Sequence, residues 1–137
     1  ESDIRIGMEY PILGVGYGLR NRYVLDYLPD SAFSNNEVKM WNRMLNEQGI
    51  MKFSYPSLSE YAFRFSQTGI VGLIIYLFPG YILLKRLLRK TYNQRDDTSI
   101  MILTIFGGIL ITGLGDTLVI LAAYWIILGL GFAYVDK

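Results

Sequence analysis

Between residues 98 and 135 the chain carries one charged side chain, Asp116, in thirty-eight positions. Two uncharged runs flank it: TSIMILTIFGGILITGLG over 98–115 and TLVILAAYWIILGLGFAYV over 117–135. A third, GIVGLIIYLFPGYILL, lies upstream over 69–84. A helix packed on a water-soluble core shows a polar stripe every three to four positions, and these runs show none. Each approaches the ~20 residues with which a helix crosses hydrocarbon, where every backbone polar group must be satisfied inside the segment. The expectation is an all-α, polytopic membrane chain with spans near 67–84, 98–115 and 117–135.

Charge is concentrated elsewhere. Residues 1–66 hold fifteen of the twenty-five charges, seven basic and eight acidic. The stretch KRLLRKTYNQRDD, 85–97, holds five basic and two acidic residues between the first two spans. Short connections rich in Lys and Arg stay in the cytoplasm. That places loop 85–97 and Lys137 inside, and residues 1–66 outside, with Asp116 in a tight external turn. The opening ESDIRIG offers no basic n-region and no apolar h-region that would carry residues 1–66 across a membrane, so further helices are expected ahead of residue 1. The chain has no cysteine, so the compartment leaves no disulfide signature.

Within the outer segment, PILGVGYGLR (11–20) sets Gly14, Gly16 and Gly18 on alternate positions just before Arg20. Such glycines permit positive φ and close approach of another backbone or of a ligand, and exposed N–H groups in a turn of this kind can form an anion nest. A plain tight turn explains the same residues. The spacing is neither GxGxxG nor GxxxxGK[ST], so no nucleotide fold is implied. SNNEVKMWNRMLNEQG (34–49) predicts an amphipathic helix near 35–48, capped by Ser34 or Asn35, with Val38, Trp41, Met44 and Leu45 on one stripe and Gly49 at its end. Such a helix lies on the membrane surface or over other helices.

YPSLSEYAFRFSQTG (55–69) leads into the first span, and Pro56 with Ser57-x-x-Glu60 marks a helix start. Ser57, Glu60 or Tyr61, Arg64 and Thr68 then share one face, which sets a carboxylate and a guanidinium at the membrane mouth. A capping Glu60 paired with Arg64 is the structural alternative; an arginine one turn from hydrocarbon is costly enough to suggest function. Six tyrosines, at 10, 17, 23, 27, 55 and 61, and Trp41 occupy the outer segment, where they serve as an interfacial belt or stack on sugar rings.

The order of these parts resembles the C-terminal half of the O-antigen polymerase and O-antigen ligase superfamily. PILGVGYG matches its P-x-x-G-x-G turn before a large periplasmic loop, and SLSEYAFRFSQTGIVGLIIYL stands where that loop ends. A basic cytoplasmic loop and the pair GLGDTLVILAAYWIILGLGFAY follow. Counting back from Gly69 and Gly72, the family's His-Asn falls at Leu58 and Ser59 and its acidic residue at Gln67, and the chain has no histidine. The ligase branch is thought to use that histidine, so the polymerase branch fits better. Arg5 lies eleven residues before Gly16, a spacing described for some polymerases.

The resemblance implies a multi-pass protein of the bacterial inner membrane that polymerises undecaprenyl-pyrophosphate-linked repeat units without metal or cofactor. The bilayer is a partner, as are the pathway's flippase and chain-length regulator; no nucleic acid is involved. The departing pyrophosphate needs cations, and arginine's fork suits it. Arg20, Arg22 and Arg64 take that role beside the N–H groups of Gly14, Gly16 and Gly18. Glu60 is the first choice of base, with Asp26, Asp116, Tyr61 and Arg5 as further site residues. A ligase-type transferase and a polytopic transporter or flippase subunit are the alternatives, the latter because TIFGGILITGLGD would suit a broken helix.

Overall fold

The longest element is α4, Glu60–Gln94, whose 35 residues contain Pro79 and one non-helical position, Gly69 (φ 62°, ψ −165°). It belongs to a computed structural model that describes residues 1–50, 52–94, 96–116 and 120–135. Those residues are all-helical, with no strand among them. The other elements are α1 (Ser2–Glu9), α2 (Arg20–Tyr23), a 3-10 helix (Asp30–Ser34), α3 (Asn36–Gln48), α5 (Asp97–Thr112) and α6 (Ile120–Val135). The chain divides into two units, Glu1–Ser57 with Tyr61–Leu73, and Leu58–Glu60 with the chain from Ile74 onward.

In the first unit α3 forms as expected. The Asn35 side chain accepts the Glu37 N–H at 2.8 Å, and Gly49 ends the helix at φ 80°. Its stripe turns inward: Leu45 packs with Val24 and Tyr55, and Trp41 and Phe53 lie against them. Trp41 meets Tyr55 edge-on at 5.5 Å. The apolar face of α3 thus covers its own unit's core.

In the second unit a core of Leu83, Leu87, Ile102, Phe106, Tyr124 and Leu128 joins α4, α5 and α6. Gly80 and Gly131 bring helices close: Gly80 faces Tyr124 and Phe106, and Gly131 faces Leu83. Tyr124 donates its hydroxyl to the Tyr76 carbonyl at 2.9 Å, in the turn where Pro79 lacks an N–H and thins the helical ladder.

The stretch expected as a basic loop from 85 differs. Residues 85–94 continue α4 as helix, because Lys and Arg are good helix formers, no breaker intervenes, and Leu83 and Leu87 are fully buried on one face. Arg86 lies 5.6 Å from the Phe132 ring and Lys90 4.0 Å from the Tyr134 ring. At the end of α5 the Gly115 and Asp116 N–H groups both donate to the Thr112 carbonyl, and the rest of the turn expected around Asp116 falls on 117–119, outside the described residues.

Among the described residues one stretch, Glu60–Asn93, is long and apolar enough to cross a membrane. Helices α5 and α6 have 16 residues each, apolar but shorter than the ~20 a perpendicular crossing takes. The opening of the third expected span, residues 117–119, lies outside the described residues, as do Arg95 and Lys137.

Candidate functional site

The turn at Pro11–Gly16 and the interruption of α4 at Gly69 complete one another. Breaking a helix frees carbonyls before the break and N–H groups after it. Here the Ser66 and Gln67 carbonyls accept the N–H groups of Val15 and Gly16, both at 2.9 Å. The N–H groups of Ile70 and Val71 donate to the Pro11 and Ile12 carbonyls, at 2.8 and 3.3 Å. Every bond in this exchange is backbone to backbone, so the sequence needs only backbones that can meet. Gly14 (φ 65°) and Gly69 (φ 62°) provide that: a Cβ on Gly14 would overlap the backbone of Gln67, and one on Gly69 the carbonyl of Ile12.

This geometry corrects the anion-nest expectation for two of the three glycines. The Gly14 N–H donates to Tyr10 and the Gly16 N–H to Gln67, so neither faces a ligand. Gly18 stands apart. Its φ is 81°, and a Cβ there would meet nothing within 4 Å.

Arg20 is also placed differently from the expectation. Its side chain is buried, and its Nε and Nη2 form a bidentate pair with Asp3, the Nη2–Oδ2 bond measuring 2.9 Å. Nη1 donates to the Tyr55 carbonyl at 2.6 Å, Nη2 reaches the Pro56 carbonyl at 3.4 Å, and the guanidinium lies 5.2 Å from the Phe63 ring. Asp3 accepts two further hydroxyls, Ser57 Oγ at 2.6 Å and Ser66 Oγ at 3.3 Å. A guanidinium so engaged ties α1, α2 and residues 55–66 together and has no fork left for a phosphate.

Asn21, next to it, holds the segment that follows α3. Its amide donates to the Ile50 and Phe53 carbonyls at 3.2 and 2.8 Å and accepts the Tyr55 N–H at 3.1 Å. Burial pushes the Tyr55 phenol above its ordinary value. These bonds frame a cavity of about 240 Å³ beside Gly18. Tyr17, Lys52, Ser54, Phe63 and Gln67 line it, together with Phe53. Gln67 is 4% exposed, and its Oε1 has no hydrogen-bond partner among the described residues.

The remaining sequence-predicted residues are scattered. Arg22 and Asp26 are exposed on and after α2. Arg5 is exposed and pairs with Glu1 at 2.6 Å one helical turn away. Arg64 and Tyr61 are half-buried on α4, the Arg64 guanidinium lying 6.0 Å from the Phe63 ring. Glu60 is 2% exposed in the second unit, where its N–H donates to the Gly113 carbonyl at 3.0 Å. Asp116 is half-buried there.

Sequence reasoning missed Asp3, Asn21 and the roles of Ser57 and Ser66. Asp3 and Arg20 are seventeen residues apart with no periodic relation, so no local signal joins them. Gln67 stood out only as the position of the family's acidic residue. Compared with family models, curated proteins and solved structures, the chain matches none.

Proposed function

We propose that the chain is the C-terminal part of a polymerase of the bacterial inner membrane, which joins undecaprenyl-pyrophosphate-linked repeat units at the outer face. The observation that supports this best is the exchange between Pro11–Gly16 and the α4 break at Gly69. Two of the segments that carry the resemblance, the P-x-x-G-x-G turn and the stretch running to Gly69 and Gly72, bond to each other. The exposed apolar faces of the long helices add support, with Ile75 68%, Tyr81 61% and Ile126 60% accessible. In the proposed topology α4 runs inward, α5 outward and α6 inward. Residues 1–66 are then external, and the basic end of α4 and the C-terminus cytoplasmic.

The reaction needs little covalent help. A terminal hydroxyl of one repeat unit attacks the anomeric carbon of a lipid-linked chain. The bond from that carbon to the pyrophosphate oxygen breaks, and undecaprenyl pyrophosphate departs with the electron pair. Arg64 and Arg22, both in the first unit, neutralise the charge growing on the leaving group, and the hydroxyl proton passes to a carboxylate, for which Glu60 and Asp26 are the candidates. Arg20 is the scaffold of the first unit, which carries Arg22 and Arg64. The flippase and the chain-length regulator of the same pathway are the protein partners.

A transporter also uses interrupted helices, whose freed backbone groups coordinate ions or substrate. At Gly69 those groups are engaged by Pro11–Gly16, which favours the polymerase. The test is deletion of the gene in its host. Single repeat units should still reach their final acceptor while longer chains vanish. Long polymer accumulating on the lipid carrier without attachment would indicate a ligase, and unflipped units inside the cell a transporter.

A further inference from the structure

The cavity beside Gly18 has features that neither the turn nor the Arg20 scaffold requires. Gln67 is more than nine-tenths buried, yet its amide oxygen is left without a partner among the described residues, a deficit that an occupant of the cavity would relieve. The surrounding side chains are three aromatic rings, Tyr17, Phe53 and Phe63, with Ser54 and Lys52. The volume, about 240 Å³, falls just under the ~300 to 1,000 Å³ of pockets for drug-sized ligands and suits a single small ring.

The chemistry narrows the occupant. An unpaired carbonyl oxygen repels an anion, so a phosphate would face Lys52 on one side and a lone pair on the other. A hydroxyl both donates and accepts, and so satisfies the Gln67 amide whichever way it is turned. Flat rings beside an amide suit the apolar face and hydroxyl edge of a pyranose. We infer that this cavity is a monosaccharide subsite in which Gln67 hydrogen-bonds a ring hydroxyl or an acetamido N–H. Resting on the polymerase reading, the subsite would receive a sugar of a lipid-linked repeat unit. Asn21, which also lines the cavity, shapes its wall by fixing Ile50, Phe53 and Tyr55.

The experiment titrates the membrane-embedded full protein with a panel of methyl glycosides, with and without acetamido groups, by saturation-transfer NMR. At least one glycoside should bind saturably. Gln67→Leu should weaken it tenfold or more with an unchanged melting temperature, and Lys52→Ala should change it less than twofold. Inorganic phosphate should not compete. Equal binding by Gln67→Leu, competition by phosphate, or no saturable glycoside would overturn the subsite, the first indicating that the glycoside binds without the Gln67 amide. Ser54→Trp, which fills the cavity from its exposed wall, should abolish binding too, and so separates loss of the site from any loosening of the unit by Gln67→Leu. Chain length of the cellular glycan separates the two readings. If binding is lost while chain length stays normal, the subsite stands and the polymerase assignment falls.

Discussion

The N–H of Ile70 donates to the Pro11 carbonyl at 2.8 Å, restarting a helix against a turn almost sixty residues earlier in the chain. Because Gly14 and Gly69 make that approach possible, Gly69→Ala and Gly14→Ala should each destabilise the first unit by ~2 kcal/mol or more, from positive-φ strain of ~1 to 2 kcal/mol plus backbone overlap. Gly18→Ala, with the same strain and open space, should cost ~1 to 2 kcal/mol. Thermal unfolding in detergent ranks the three, and equal losses would mean that close approach is irrelevant.

The Asp3–Arg20 pair makes a second prediction. Removing one partner leaves a buried charge without its counterion, at a cost of about 3 to 5 kcal/mol, whereas replacing both with apolar residues of similar size is far milder. Asp3→Leu alone should therefore melt well below Asp3→Leu/Arg20→Met. The same order in chain length of the cellular glycan would support a scaffold role for Arg20. Activity lost in the double variant with stability restored would return Arg20 to the substrate.

How far the sequence foretold these features depends on range. Helix α3 was legible because its cap, stripe and terminating glycine lie within fifteen residues of one another. The glycines of 14–18 were legible as positive-φ positions, but not their partner, since backbone-to-backbone bonds leave no side-chain signature. Residues 85–94 were misjudged as a loop because their charge marks a membrane side, and charge does not end a helix. The partner of Arg20 was not legible, because a lone arginine beside glycines looks the same whether it meets a phosphate or a distant Asp3.

A third prediction concerns acid. Asp96 caps α5: its Oδ2 accepts the Ser99 N–H at 3.0 Å and the Ser99 hydroxyl at 2.6 Å, and the Tyr134 hydroxyl as well. The Ser99 hydroxyl, first among these, and the Tyr134 hydroxyl hold the carboxyl below its ordinary 3.8. A depressed folded value means that the contribution is complete above the unfolded value and fades as pH falls through the folded one. The melting-temperature gap between the wild type and Asp96→Asn should stay constant from neutral pH to about 4 and close below it. A gap that widens in acid would contradict the capping role.

Arg64 carries the catalytic prediction. Arg64→Ala should lower polymerisation about 100-fold or more, the loss typical of removing one donor to a developing charge, and Arg64→Lys should keep a small residue of it. Protein abundance should hold in both, because a half-exposed charge contributes little to stability. Lys39→Ala on α3 should be mild. Normal chain length in Arg64→Ala would move the pyrophosphate to Arg22 or beyond this chain.

The most direct measurement is reconstitution of the full membrane protein in liposomes with undecaprenyl-pyrophosphate-linked repeat units from its host. With EDTA present throughout, a ladder of products differing by one repeat unit should appear, and one undecaprenyl pyrophosphate should be released per bond formed. Arg64→Ala should stop the ladder. A correctly folded protein that leaves the repeat units unjoined, or that only moves them across the bilayer, would contradict the polymerase account.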